Sequence, residues 1–204
     1  MMNKSKGARA AANAPGTDLR VKVASVVIAA LLIVLLAIVS PGMAMWWTFI
    51  PAMVIACGSH LASTAKAAPD PARVLPIYLV ALAWQFLHFA EEYSGQFWIR
   101  WPEDVFAAPP MTVEFFIWGN MASYAAFTLG ALTLFKGWRV PLLIVWFFAI
   151  MGIMGNAIGH PIYALISGDV FFPGTLTSLA YWLIGPALIL RLWRSSRSRE
   201  AVQV

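Results

Sequence analysis

His88, Glu91 and Glu92 stand at i, i+3 and i+4, a spacing that projects an imidazole and two carboxylates from one side of a helix, with Gln85 one turn earlier. Asn156 and His160 repeat the i, i+4 relation further along the chain. Imidazole and carboxylate donors together suit zinc, iron or manganese. The expected arrangement is a single divalent ion on His88, Glu91 and His160, with Glu92 as the alternative carboxylate and one position open to water. Asn156 would then orient a ligand or a substrate oxygen, and Glu91, Glu92 and Asn156 form the expected catalytic set. Glu114, Asn120 and Gln85 are secondary candidates. The same groups could work without metal, one carboxyl as acid and its partner or a histidine as base on a lipid or isoprenoid, in an isomerase or cyclase reaction. A third use is non-catalytic, as a metal- or proton-coupled carrier or a lipid-binding protein. Glu92 and Glu114, both near expected helix ends, are equally suited to reaching out to the membrane interface.

The elements that must position these residues are apolar. Hydrophobic residues make up 61% of the 204 positions and charged residues 11%, under half the charged share of a soluble domain. Six apolar runs follow one another: 23–39, 43–63, 74–93, 113–135, 141–159 and 175–193. Each approaches the length of about 20 residues that a membrane-crossing helix needs. The first is read as an uncleaved helix rather than a signal peptide, because its apolar stretch is long and Gly42-Met43-Ala44 is a poor cleavage site. The fold class expected is all-α, a polytopic transmembrane bundle of six spans. Its parts are a disordered tail over 1–22, two N-terminal spans within 23–73, a four-helix unit over 74–193, and a basic tail over 194–204. Pro161 should close the fifth span and Pro186 should kink the sixth.

Charge orients the bundle. With both termini in the cytoplasm, thirteen of the fourteen Lys and Arg residues fall on the inner side and Arg100 alone lies outside, as the excess of basic residues in cytoplasmic loops requires. This placement at run ends also argues against a nucleic-acid partner for the net charge of +5. The orientation puts His88, Glu91, Glu92, Glu114, Asn120, Asn156 and His160 in one outer slab, together with Thr175, Thr177 and Ser178. His60 falls near the inner end of the second run, outside that slab. Segment 94–112 mixes Phe97, Trp98, Trp101 and Phe106 with Arg100, Glu103 and Asp104, which suits either a lid or an ordinary interfacial loop.

At the string His88-Phe89-Ala90-Glu91-Glu92 the chain resembles the HXXEE-domain family of bacterial integral membrane proteins. The later Asn156…His160 pair and Pro173-Gly174 are similar to that family's downstream signals, and the likeness covers roughly residues 75–192. The resemblance implies a multi-pass protein of the bacterial inner membrane but no particular reaction. Helix bundles that hold two irons use Glu-x-x-His twice, whereas this chain has His-x-x-Glu once, which favours one ion over two. The leading functional expectation is a metal-dependent enzyme with membrane lipid as its partner or substrate.

Overall fold

The boundaries of the fourth helix show how local chemistry overrides the apolar count. Asp70 accepts a hydrogen bond from the Ala72 N–H, and Pro71 occupies the first turn, where its missing N–H costs nothing. The helix therefore starts before its apolar run and encloses Pro76. The computed structural model describes the backbone of residues 15–203 and the side chains of residues 18–198. Residues 1–14 of the expected N-terminal tail lie outside the described residues.

Among the described residues all regular structure is helical. Helix α1 (Pro15–Ile38) is followed by a short α2 (Ala44–Trp47) and by α3 (Phe49–Ala62). Next come α4 (Pro71–Ser94), the short α5 (Phe97–Arg100) with a π-helical turn at Trp101–Val105, and α6 (Val113–Lys136). The chain continues through α7 (Leu142–Phe147), a π-helical stretch (Phe148–Gly155), α8 (Asn156–Ser167), α9 (Thr175–Ser178) and α10 (Tyr181–Gln203). Among the described residues five helices are long and apolar enough to cross a membrane: Asp18–Ile38, Ala44–Ala62, Pro71–Ser94, Val113–Lys136 and Leu142–Ser167.

Three expected boundaries are corrected. Residues 15–22 belong to α1 rather than to a tail, and residues 194–203 continue α10. Pro161 lies inside α8 and does not end it; that helix stops at Ser167, where Gly168 takes a positive φ of 71°. A proline removes one backbone bond, and a glycine in the left-handed region is the stronger stop. The sixth apolar run is divided at 179–180, where i to i+3 bonds such as Leu179 N to Leu176 O and Ala180 N to Thr177 O tighten the chain.

The main core packs α4, α6, the α7–α8 rod and α10 around Tyr78, Phe148, Val145, Leu134 and Leu188, all fully enclosed. Gly130 lets this happen at one point, because a Cβ there would come within 2.5 Å of the Tyr78 hydroxyl, which donates to the Phe127 carbonyl at 2.7 Å. A second cluster joins Ala44, Met45, Phe97, Trp101, Phe116, Ala164 and Phe172. It fastens the 94–112 segment down onto one end of the bundle. Arg100 adds to this fastening through Asp169 (2.8 Å) and Asp104 (3.1 Å), with its guanidinium 4.9 Å from the centre of the Phe172 ring.

Candidate metal centre

Helix α4 carries His88 and Glu92 one turn apart, facing into the bundle, and α8 brings His160 against them. All three are enclosed, at 0%, 6% and 0% exposure. Oε1 of Glu92 lies 3.3 Å from Nε2 of His88 and 3.3 Å from Nε2 of His160. One ligand atom from each residue falls within 4.8 Å of the others. The rings of His88 and His160 meet edge to face with centroids 4.6 Å apart. Tyr181 and Phe97 close over them at 5.2 and 5.3 Å.

The outer nitrogens of both rings are committed. Nδ1 of His160 lies 2.7 Å from the Pro173 carbonyl, which can only accept, so that nitrogen carries the proton. Nδ1 of His88 lies 2.8 Å from Oγ1 of Thr177. The Thr177 hydroxyl gives its own proton to Glu91, so it accepts from His88. In the neutral rings both Nε2 atoms are therefore lone pairs, and neither has a hydrogen-bond partner. Two imidazole nitrogens and a carboxylate oxygen thus converge on one point. With both rings neutral that convergence is relieved by a positive charge at its centre, either a metal ion or a proton held between Glu92 and one of the histidines. A cation bound tetrahedrally at about 2.0–2.1 Å from each donor separates its ligands by about 3.3 Å, the distance of Glu92 Oε1 from each Nε2, while the two Nε2 atoms lie within 4.8 Å of each other. Backbone or carboxylate partners on the far nitrogen are the usual means of fixing a metal-bound histidine.

His60 supplies an internal contrast. Its Nε2 lies 2.9 Å from Oγ of Ser25, its Nδ1 2.6 Å from Oγ1 of Thr64, and Thr64 also receives the Trp146 indole N–H at 3.1 Å. Every polar atom of that ring is used, and its role is to tie α1, α3 and α7 together.

The carboxylate of the group is Glu92, and Glu91, the expected ligand, stands apart from it. Glu91 accepts the backbone N–H groups of Leu176 (3.0 Å) and Thr177 (2.8 Å) as well as the Thr177 hydroxyl. It thereby caps the start of α9 and positions His88 through Thr177. Asn156 turns back to the Gly152 carbonyl (3.0 Å), and Asn120 likewise to Phe116 (3.0 Å). Neither makes a hydrogen bond to the group. Gln85 is buried one turn below His88, accepting from the Tyr181 hydroxyl at 2.6 Å and, through its carbonyl, from Tyr124 at 3.1 Å. Glu114 is exposed in the first turn of α6.

No protein family, curated protein or solved structure matches the chain.

Residues given no place in the expected ligand or catalytic set complete the site. Gly174, with φ of 88°, brings the backbone so near His160 that a Cβ would fall within 3.0 Å of three ring atoms. Trp84 donates to the Thr177 carbonyl at 2.8 Å, holding the α9 start against α4. The Pro173-Gly174 pair was a sequence signal for this turn; nothing in the local spacing marked Trp84 or Tyr181.

Proposed function

We propose that the chain is a membrane-embedded, metal-dependent enzyme acting on a lipid or other apolar substrate, with His88, Glu92 and His160 holding one divalent cation. The observation that carries this reading is the pair of unpartnered Nε2 atoms aimed at one carboxylate oxygen. Three protein donors of the His2Glu type are the count found in catalytic zinc sites, whereas structural zinc takes four. The same set is also that of mononuclear iron oxygenases. Bound there, the metal would supply Lewis acidity and an activated water or oxygen. The chain's own part is to hold both imidazoles in one tautomer, through the Pro173 carbonyl and the Glu91–Thr177 pair, and to keep bulk water out with Phe97 and Tyr181.

An apolar substrate is supported by a groove of about 430 Å³ beside the site, between α8 and the 168–179 segment. It is lined by Pro161, Ala164, Leu165, Val170, Leu179 and Thr175, and Pro161 directly follows His160. A carrier is less well supported, because below Gln85 the interior is filled by Tyr78, Phe148, Ala149 and Val145.

The topology proposed is six spans with both termini in the cytoplasm, counting α9 and α10 together as a broken sixth crossing. In support, Arg139 pairs with Asp18 and donates to the Ala65 and Lys66 carbonyls, while Arg191 donates to the Arg73 carbonyl at 3.2 Å. These contacts gather the basic residues at the end opposite the site. Bacterial inner-membrane location and HXXEE-family membership rest on the motif string His88-Phe89-Ala90-Glu91-Glu92 and its downstream partners.

Metal analysis of the detergent-purified protein tests the reading. About one divalent ion per chain, lost in His88→Ala, Glu92→Gln and His160→Ala, is the expected result. A folded protein that takes up no zinc, iron or manganese would transfer the site to proton chemistry between Glu92 and the histidines. Labelling of cysteines placed at 66 and 104 tests the orientation, with 104 reactive from outside and 66 protected.

A further inference from the structure

At the far end of the bundle, about 22 Å from His88 by the helical rise, α4 and α10 enclose a second open pocket of about 420 Å³. Its walls are Ala72, Arg73, Arg191, Arg194 and Ser195. Three guanidinium groups thus come from two helices to one concavity. One carboxylate is recorded against them, Asp70 at 3.6 Å from Arg73, and part of its charge is turned to the Ala72 N–H. Among the described residues Arg191 reaches a backbone carbonyl, that of Arg73, and no carboxylate. Arg194 is exposed and has no carboxylate partner among the described residues. Counted over the described residues, three arginines and one aspartate give the pocket an excess of about two positive charges. Guanidinium forks match the oxygens of phosphate in a way that a lone ammonium does not.

We propose that this pocket binds the phosphate of an anionic phospholipid headgroup. The shared chemistry is a phosphate oxyanion. The lipid is the source favoured here because the pocket lies where α4 begins and where the apolar part of α10 gives way to Arg191, Arg194 and Arg197, which in the topology proposed above is the depth of a headgroup layer. Apolar helix faces run away from it toward the bundle centre, with Leu79, Val80 and Leu190 exposed on α4 and α10, so acyl chains have a surface to follow. Basic pockets between transmembrane helices are the usual form of such sites.

The test is native mass spectrometry of the full-length detergent-purified protein with added phosphatidylglycerol, phosphatidylcholine or inorganic phosphate. The wild type is expected to retain one phosphatidylglycerol under activation that strips phosphatidylcholine. Arg194→Gln should weaken retention about five-fold and Arg191→Gln/Arg194→Gln about twenty-five-fold, at roughly one basic residue's worth of attraction each. Arg194 is exposed, so its single variant keeps the test readable if the double variant unfolds. Unchanged retention by Arg194→Gln, or equal retention of phosphatidylcholine, would overturn the proposal. Displacement of phosphatidylglycerol by equimolar inorganic phosphate would overturn the lipid as its source.

Discussion

The Pro173 carbonyl oxygen lies 2.7 Å from Nδ1 of His160, and through that single bond a turn between two helices decides which nitrogen of the ring faces Glu92. The turn can approach so closely only because Gly174 follows. Gly174→Ala is expected to cost about 1–3 kcal/mol from its left-handed backbone alone, and more from the overlap with the imidazole. Thermal unfolding in detergent should show the loss, and metal uptake should fall with it. Normal metal content in Gly174→Ala would mean that the turn does not set the ring.

Glu91 and Glu92 are neighbours with separable duties. Glu92→Gln removes a donor and should abolish metal retention. Thr177→Val and Glu91→Gln leave all three donors in place and should weaken affinity about 10–100-fold, the usual effect of removing a partner behind a ligand. Competition with a calibrated chelator measures both. Equal effects for Glu91→Gln and Glu92→Gln would contradict the division.

His60→Ala provides the control. Its ring bonds to Ser25 and Thr64 and lies away from the Glu92 group, so the variant should lose about 1–3 kcal/mol of stability through unpaired buried groups. Its metal content should match the wild type when measured on folded protein.

The 94–112 segment should loosen in acid. The hydrogen bond from Arg100, and after it the Phe171 N–H, holds the Asp169 carboxyl below its ordinary value of 3.8. A carboxyl lowered by folding stabilises above its unfolded value and loses that contribution as pH falls through the folded one. Hydrogen exchange over residues 97–105 should therefore quicken below about pH 4. In Asp169→Asn it should be quick already at neutral pH. An Asp169→Asn variant as protected as the wild type would show that the aromatic cluster alone fastens the segment.

The all-helical class, and the pairing of His88 with His160 beside one of two adjacent carboxylates, follow from residue types and run lengths. The finer choices do not. At i+3 and i+4, Glu91 and Glu92 flank His88 almost symmetrically, and periodicity alone does not choose between them. The choice is made by the N–H groups at the start of α9, 85 residues away in sequence. Asn156 was aligned with His160 by spacing, yet its amide satisfies its own helix, a local option open to any short polar side chain. Pro161 looked like a terminator because a proline usually is one; here the helix absorbs it and runs on to Gly168. The sequence groups Thr177 with the other polar residues, but its place between Glu91 and His88 depends on the break in the sixth run.

The π-helical stretch Phe148–Gly155 fits an extra residue into a turn, so everything after it falls about 100° behind its phase in a uniform helix. Before it, the rod seals the core with Leu142 and Val145; after it, the same rod delivers His160 to Glu92. The centre is thus set by a count as much as by a composition. Apolar exchanges between 148 and 155 should leave the histidine where it is, whereas deletion of any one residue there would turn it out of phase.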